Sequence, residues 1–326
     1  MERSYYESIA REVRLKAVFH SMDHARRHDS LLRARTDYTK EEQSRIRKTM
    51  EENRDYLLIG DEAYPEKLYD MSWPPLLLFY QGEVGLLKRP SVGIVGSRNN
   101  SYYGSRVTKE LAISVAGTGG VIVSGGARGV DSIAHRSTLS ESGKTICILG
   151  NGMDISYPPE NSGLFAEIRE KGLILSEYPR GYGPQKWTFP MRNRIIAALS
   201  DVIIVTEAAE KSGSLHTATF GEEYNRRVYA VPSGIFSETG RGTNSLIEMG
   251  ARILYRKESF LEDFRAAFPL ALYYRISDLG LLGVALERAA LQKLFSLTKE
   301  DLDSLLMRFR MAKVIGIEED GRITFL

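Results

Sequence analysis

The middle of the chain alternates short apolar runs with longer amphipathic segments. The runs are "SVGIVG" at 91–96, "VIVS" at 121–124, "TICILG" at 145–150, "LILS" at 173–176, "DVIIVTE" at 201–207 and "VYAVP" at 228–232. Apolar residues recur at helical spacing in the segments 104–118, 131–142, 164–171, 190–199, 214–226 and 243–250. Apolar strands joined by helices are typical of a parallel sheet that is covered on both faces. The pattern therefore predicts an α/β fold with a doubly wound, Rossmann-like parallel sheet over residues 69–265.

The two flanks have different patterns. Residues 1–68 have almost no glycine and predict a helical N-terminal region. Between residues 11 and 48, eleven Lys or Arg residues stand against six acids, which fits either a solvated helix face or an auxiliary nucleic-acid surface. His20, His24 and His28 would share one helical face, but no carboxylate or cysteine completes an obvious metal site.

The C-terminal flank predicts a small winged-helix-like domain over residues 270–326. Thr298 and Asp301 resemble the start of a capping box. One apolar helical face follows, formed by Leu302, Leu305, Leu306 and Phe309. Two short apolar runs then flank Asp320-Gly321, which is a hairpin signal. Such a domain either binds DNA or serves as a docking or structural module.

Composition adds few constraints. The chain has 326 residues, 26% of them charged and 43% hydrophobic, as in an ordinary soluble protein. The net charge of +2 is small, so any basic surface must be local. The N-terminus lacks the apolar core of a signal peptide and no apolar run is long enough to span a membrane, so we expect a cytoplasmic protein without a membrane partner.

Four loops follow the predicted strands or precede the predicted helices; three are rich in small residues, and the loop at 186–192 carries Lys186, Phe189 and Arg192. The four loops lie at 96–100, 124–131, 186–192 and 211–217. Ligands of doubly wound sheets bind at the carboxyl ends of the strands, where small residues and helix N-termini expose backbone N–H groups to anions. Several such loops with cations and an aromatic residue suit a run of phosphates with a base stacked nearby.

One of these loops breaks a local rule. Pro190 predicts a helix start, yet Lys186, Arg192 and Arg194 lie at this end, where a helix prefers acidic residues. A bound anion would explain the three cations. Alternatively, the arginines pair with acids of the same domain; the candidates are Glu177, Asp201 and Glu207.

Signals for a cofactor or for catalysis are weak. The first strand is not followed by the glycine pattern of dinucleotide sites, and the chain has no phosphate-binding loop of the nucleotidase type. Asp131 is interpreted as a helix cap, His135 as a packed or hydrogen-bonded residue, and the lone Cys147 as a small buried hydrophobe. We therefore predict no cofactor, no metal and no catalytic residue.

Six motifs, in order, resemble those of the DNA-processing protein A family, also called Smf. They are "AYPEKLYDMSWPPLLLFYQGE" at 63–83, "VGIVGSRNNSYYG" at 92–104, "VSGGARGVDSIAH" at 123–135, "TFPMRNRIIAALSD" at 188–201, "SGSLHTA" at 212–218 and "GTNSLIEMGA" at 242–251. The resemblance implies a non-enzymatic protein of natural transformation that binds single-stranded DNA. It also implies a homodimer that helps displace single-strand-binding protein and loads a RecA-type recombinase.

The resemblance also implies roles for individual residues. Arg98 would contact the DNA backbone, Lys186 a phosphate, and Phe189 a stacked base. The position of Phe189 before Pro190 predicts an extended backbone outside the helix, from which its ring either enters the core or projects at the carboxyl edge of the sheet. The other residues expected at the DNA are Ser124, Gly125, Gly126, Ala127, Arg128, Arg192, Asn193, Ser212, Gly213, Ser214 and Asn244.

A rival enzymatic function also fits the fold class. Rossmann-like proteins of the lysine-decarboxylase-like group cleave the N-glycosidic bond of nucleoside monophosphates and carry a Pro-Gly-Gly motif followed by a glutamate. The comparable segment here, "KSGSLHTATFGEE", lacks that Pro-Gly-Gly and has Phe220 in place of the glutamate. Glu222 and Glu223 lie further along the same predicted helix.

Overall fold

A computed structural model describes residues 55–295 and 297–326 of the chain. The predictions made for residues 1–54, including the local basic excess and the spacing of His20, His24 and His28, lie outside the described residues.

The core of the fold is a nine-stranded sheet in the order β1-β2-β6-β5-β4-β3-β7-β8-β9. The strands are β1 (Tyr56–Leu58), β2 (Leu77–Gly82), β3 (Ser91–Val95), β4 (Val121–Ser124), β5 (Thr145–Leu149), β6 (Leu173–Ser176), β7 (Val202–Val205), β8 (Arg227–Ala230) and β9 (Arg252–Ile253). All neighbouring strands from β6 to β9 in this order pair in parallel. The predicted doubly wound α/β architecture is confirmed.

Helices cover both faces of this sheet. They are α1 (Tyr102–Gly117), α2 (Val130–Ser140), α3 (Ser162–Lys171), α4 (Thr188–Leu199), α5 (Ser214–Glu223), α6 (Arg241–Glu248) and α7 (Lys257–Ala267). Helix α1 packs against α2, and α4 packs against α5. The largest buried cluster contains apolar residues of α4 and one side of the strands, and a second cluster contains those of α1 and α7.

The large domain begins earlier than the sequence indicated. Residues 55–68 were predicted to be helical, but β1 pairs antiparallel with β2, and β2 pairs antiparallel with β6. Tyr64 and Leu68 are buried in the main apolar cluster. These two strands complete one edge of the sheet, so the boundary drawn at residue 68 cuts through the domain.

The strand order reverses at β3, and this reversal positions the cleft described below. From β3 the chain proceeds through β4, β5 and β6 in one direction, and from β7 through β8 and β9 in the other. The loops that leave β3 and β7 therefore diverge to opposite faces and open a crevice at the carboxyl edge. Helix α4, which enters this crevice, begins at Thr188 rather than Pro190. Phe189 thus lies in its first turn, so the prediction that Pro190 keeps it out of the helix was wrong. A proline is tolerated at this place because its missing N–H group would have no intrahelical partner.

The C-terminal unit has its own apolar core. Its elements are α8 (Ala271–Asp278), β10 (Ala285–Leu286), α9 (Arg288–Phe295), α10 (Lys299–Met311), β11 (Ile315–Ile317) and β12 (Ile323–Phe325). The three strands pair antiparallel in the order β10-β12-β11. The predicted cap is present, because the Thr298 side chain accepts from the Asp301 backbone N–H at 3.1 Å. The winged-helix assignment stays a prediction.

This unit is attached at the amino ends of the strands. Arg89, two residues before β3, donates to both carboxylate oxygens of Asp278 in α8 at 2.9 and 2.7 Å. The same guanidinium donates to the carbonyl oxygen of Gly119, just before β4, at 2.9 Å. Its carbon lies 4.7 Å from the centre of the Tyr274 ring. The C-terminal unit is therefore held on the side of the sheet opposite the carboxyl edge.

Candidate nucleic-acid interface

An open cleft of about 690 Å³ lies at the carboxyl edge, where the strand order reverses. The loops after β3, β4 and β7 line it, together with the start of α4. Its lining includes Arg98, Asn99, Ala127, Lys186, Phe189, Asn193, Lys211, Ser212, Gly213 and Ser214. An adjoining recess of about 230 Å³ extends toward the end of β5. The loops that the sequence pointed to thus converge on one surface.

Helices α1, α2, α4 and α5 begin near this cleft, and of these only α1 has a side-chain cap, in which the Ser101 hydroxyl accepts from the Gly104 N–H at 3.1 Å. At α1, the Glu207 carboxylate accepts from the Ser101 backbone N–H at 3.0 Å. At α2, Asp131 lies in the first turn and its carboxylate accepts from the N–H of Ala127, which precedes the helix, at 3.3 Å, so the interpretation of Asp131 as the helix cap was wrong. At α5, the N-cap residue is Gly213, which has no side chain to cap the helix, and the Ser214 N–H makes only a long contact of 3.4 Å with the Ser212 hydroxyl. The partial positive charge of α5 is therefore available to an external anion in the cleft.

Three exposed cations surround the cleft. Arg98 follows β3, Lys186 precedes α4, and Lys211 follows β7. None of the three forms an ion pair with any acid among the residues that the structure describes. Unpaired cations around a free helix N-terminus make this edge attractive to a polyanion.

Arg192 has a different environment. Its side chain is 5% exposed, and its Nη1 atom donates to the carbonyl oxygens of Gly125 and Ile148. Its Nε atom donates to Asn193 Oδ1 at 2.9 Å, and Nη2 lies 3.6 Å from an Asp131 oxygen. Burial raises the pKa of Asp131, and the Arg192 charge opposes that shift. Arg192 thus ties the loops after β4 and β5 together beneath the cleft.

Arg194 is also buried and has a structural partner. Its Nη2 atom lies 2.5 Å from Glu177, and its Nη1 atom donates to the Trp73 carbonyl oxygen at 3.2 Å. Of the acids proposed as partners, Glu177 is therefore the one that pairs with this arginine. Asp201 instead pairs with Lys67 at 2.5 Å. Both arginines of α4 thus pair with groups of the same chain, although the buried Nε atom of Arg194 has no hydrogen-bond partner among the described residues.

Phe189 lies at the junction of the cleft and the recess. It is half-buried and belongs to none of the apolar core clusters of the described residues. Its ring centre lies 5.4 Å from that of Tyr157 and 5.6 Å from the Arg98 guanidinium carbon. A Cβ atom on Gly150 would lie only 3.0 Å from the ring. The ring is thus fixed between these neighbours and remains partly open to solvent.

The loop after β4 contributes mainly through packing. Ser124 is fully buried and donates to the Ile94 carbonyl oxygen at 2.7 Å. Gly125 leaves room for Arg192, since a Cβ atom there would lie 2.1 Å from the guanidinium carbon. Gly126 has φ of +67° and is also buried. These three predicted residues form the floor beneath the cleft.

Ala127 and Arg128, the next two residues of that loop, reach the recess. Arg128 is exposed and forms an ion pair with Glu160. A phosphate would compete with that carboxylate for the guanidinium. Arg128 is therefore a weaker anchor than a cation without an acidic partner.

The far wall of the cleft is formed by residues that the sequence predicted there. The hydroxyls of Ser212 and Ser214 lie 2.8 Å apart, and Asn193 Nδ2 donates to the Gly213 carbonyl oxygen at 3.1 Å. Asn244 lies elsewhere, in α6, where it braces the loop after β8. Its Oδ1 atom accepts from the Ser233 N–H at 2.9 Å, and its Nδ2 atom donates to the Ser233 carbonyl oxygen at 3.0 Å.

Lys211 and Tyr157 are among the residues of the site that were not predicted. Lys211 lines the cleft and stands directly before the predicted Ser-Gly-Ser segment, so its position in the sequence was a usable signal. Tyr157 lines both the cleft and the recess, but it comes from an irregular stretch between β5 and α3. No periodicity marks such a residue, and only the folded chain brings it to Phe189.

The buried titratable residues near the site show no sign of catalysis. His135 is fully buried, its Nδ1 atom lies 2.6 Å from Thr145 Oγ1, and burial lowers its pKa to about 3. Burial raises the pKa of the Cys147 thiol to about 12. No group of three or more potential metal ligands occurs in residues 55–295 and 297–326. In that same part of the chain, no helix has the length and apolar character needed to cross a membrane.

Known proteins resemble this chain over the same region. Protein Smf of Synechocystis is 41% identical over 224 residues, which make up 68% of this chain and 56% of that protein. DNA processing protein A of Streptococcus pneumoniae superposes with a TM-score of 0.65 and 39% identity, over 68% of this chain and 78% of that one.

DNA processing protein A of Helicobacter pylori, solved for its single-stranded DNA binding mode, superposes with a TM-score of 0.60 and 35% identity. That match covers 65% of this chain and 97% of the Helicobacter protein. The family model described as DNA recombination-mediator protein A matches residues 55–265, which is well over half of the chain. The chain therefore belongs to the DNA recombination-mediator protein A family, as its six motifs indicated.

Proposed function

We propose that this protein binds single-stranded DNA at the carboxyl edge of the sheet. The observation that carries the proposal is the convergence, in one cleft, of the uncapped N-terminus of α5 with Arg98, Lys186 and Lys211. Phosphates would lie against these groups, and a base would stack on the open face of Phe189. The Helicobacter relative was solved for its single-stranded DNA binding mode, which supports the same ligand.

Binding of this kind suits a mediator of recombination. As the family motifs imply, the protein would displace single-strand-binding protein from incoming strands and load a RecA-type recombinase during natural transformation, working as a homodimer in the cytoplasm. The match covers only 56% of the length of the Synechocystis relative, so the activities of a whole family member are proposals for this chain. The family description names a mediator of recombination and no catalysed reaction, which agrees with the prediction that the chain is not an enzyme.

The geometry of α5 argues against the nucleotide hydrolase. The hydrolase motif places its glutamate at the position of Phe220, and this chain has no acid there. Glu222 and Glu223 instead close the C-terminal end of α5, about 12 Å from its N-terminus at 1.5 Å per residue. Glu223 also accepts from the Ser72 hydroxyl at 2.9 Å. Phe220, at the position of the expected glutamate, packs partly against the core.

Salt dependence of binding tests the proposed phosphate contacts. Each contact with a single strand contributes a slope of about −0.7 in a plot of log K against log salt concentration. Lys186→Ala and Lys211→Ala should each weaken binding and flatten the slope by about 0.7, and the double variant by about 1.4. Lys293→Ala is the control, because Lys293 is exposed on the C-terminal unit. Folded variants with the wild-type slope would contradict the assignment.

A further inference from the structure

The loop after β8 presents two large apolar side chains to solvent. Ile235 is 78% exposed and Phe236 is 91% exposed. They occupy the two central positions of a turn that is closed by the Ser237 N–H donating to the Gly234 carbonyl oxygen at 2.9 Å. Glycine, proline, asparagine and aspartate dominate such positions. Ile235 and Phe236 gain little burial in the fold, so their placement indicates contact with a ligand.

This turn is held firmly in place. Asn244 bonds both the backbone N–H and the carbonyl oxygen of Ser233. The Tyr103 hydroxyl donates to the Pro232 carbonyl oxygen at 3.3 Å, which ties the turn to the start of α1. An apolar side chain on a fixed turn loses little conformational freedom when it binds, so the turn is preorganised for a contact.

A second pair of exposed side chains, both aromatic, lies beside the turn, and one of them, Tyr103, lines a groove together with residues of the turn. Tyr102 is 83% exposed and Tyr103 is 50% exposed, at the start of α1. The groove between this helix start and residues 232–237 measures about 360 Å³. Arg106, also exposed, lies one helical turn beyond Tyr102 on the same face. We use the name aromatic ledge for Tyr102, Tyr103, Ile235 and Phe236.

The aromatic ledge continues the surface of the cleft. Asn99 lines the cleft and Ser101 lines the groove, so a single loop borders both. Along the carboxyl edge, β8 is two strands from β3. At about 4.8 Å per strand this separation is about 10 Å, the length of about three stacked nucleotides at 3.4 Å each. A single strand of DNA that leaves the cleft toward β8 would therefore reach the aromatic ledge within about three nucleotides.

We propose that the aromatic ledge is a second base-stacking subsite for the single strand of DNA that leaves the cleft. The proposal rests on the proposed function and deepens it. Exposed aromatic rings beside cations form sequence-tolerant platforms for bases. Two exposed cations accompany these rings, Arg106 one helical turn beyond Tyr102 and Arg241 five residues after Phe236, against the exposed acid Glu238 in the same loop. Bases would stack on Tyr102 and Phe236 while the backbone follows the charged loops.

Oligonucleotide length separates this subsite from the cleft. Thymidine oligonucleotides of about 4 to about 16 nucleotides would be titrated against the full chain. The variant Tyr102→Ala/Phe236→Ala should bind the shortest oligonucleotides as the wild type does. Above the length that fills the cleft, it should lose affinity by about 5- to 150-fold for each stacked base. Met311→Ala is the control, because Met311 is 75% exposed on the C-terminal unit.

The outcomes separate the ledge from the cleft. Wild-type affinity of the folded double variant at every length overturns the subsite, as does an equal loss at every length. A changed oligomeric state with unchanged DNA affinity overturns it in favour of contact between copies of the chain. Lys186→Ala/Lys211→Ala is measured in parallel: if it has no effect while the ledge variant loses affinity, the ledge stands and the proposed cleft fails.

Discussion

Replacement of Phe189 by alanine separates a binding role from a packing role. A base stacked on an aromatic side chain contributes about 1–3 kcal/mol, so Phe189→Ala should weaken binding of single-stranded DNA by about 5- to 150-fold. The ring is half-buried, outside the apolar core clusters of the described residues, and its neighbours are Tyr157, Gly150 and Arg98. The free energy of unfolding should therefore fall by less than the roughly 3–5 kcal/mol of a core phenylalanine.

Phe220 offers a matched control on the neighbouring helix. It is also half-buried, and its ring lies 6.1 Å from that of Tyr224, but it packs against the main apolar cluster, away from the cleft. Phe220→Ala should lower the free energy of unfolding more than Phe189→Ala does, with unchanged DNA affinity. Phe189→Trp should keep most of the binding, because the indole ring preserves a stacking face.

Two measurements on each sample suffice: urea unfolding and titration of a fluorescent oligonucleotide at fixed salt. The reasoning is refuted if Phe189→Ala unfolds at much lower urea while its remaining folded fraction binds with wild-type affinity. That result would make Phe189 a packing residue and leave the open cleft without a stacking platform.

Three further predictions concern the rest of the molecule. Because burial holds the pKa of His135 at about 3, against 6.5 when unburied, the unfolded chain gains a proton that the folded protein excludes. The free energy of unfolding should fall by about 1.4 kcal/mol per pH unit as the pH drops from 6.5 toward 3, and His135→Asn should lack this component in urea titrations. Cys147 is fully buried, so a thiol reagent should label it only after denaturant is added. Asp278→Ala leaves the buried Arg89 without its carboxylate and should cost about 3–5 kcal/mol in thermal unfolding, with DNA affinity unchanged because this pair lies at the opposite edge.

Much of the sheet was predictable because its central strands are buried on both faces. Such strands are continuous apolar runs, and the predicted spans match β4 and β6 to the residue and the other central strands within a few residues. The edge strands of the sheet were harder to predict from the sequence. Strand β9 consists of Arg252 and Ile253, both exposed, so it has no apolar signal. Strand β1 is three residues long and gains its stability from pairing with β2, a distant contact that local pattern does not show.

The site was predictable in location but not in the roles of its cations. The rule for carboxyl ends brought the correct loops together, since it depends only on strand order. Sequence could not tell which guanidinium turns inward. Arg98 and Arg192 both stand in small-residue loops or helix starts, yet Arg98 is exposed and Arg192 is buried. That difference depends on space beside Gly125 and on carbonyl oxygens contributed by two different strands.

The buried arginine nevertheless favours DNA binding from beneath the cleft. Carbonyl oxygens at the carboxyl ends of strands carry partial negative charge and would repel a phosphate. Arg192 binds those of Gly125 and Ile148, and it lies beside the carboxylate of Asp131. Its charge is thus used to neutralise the floor, and the net attraction comes from the cations of the rim and from α5. Arg192 therefore acts as a positioning residue, and its replacement should disturb the shape of the cleft more than the salt slope of binding.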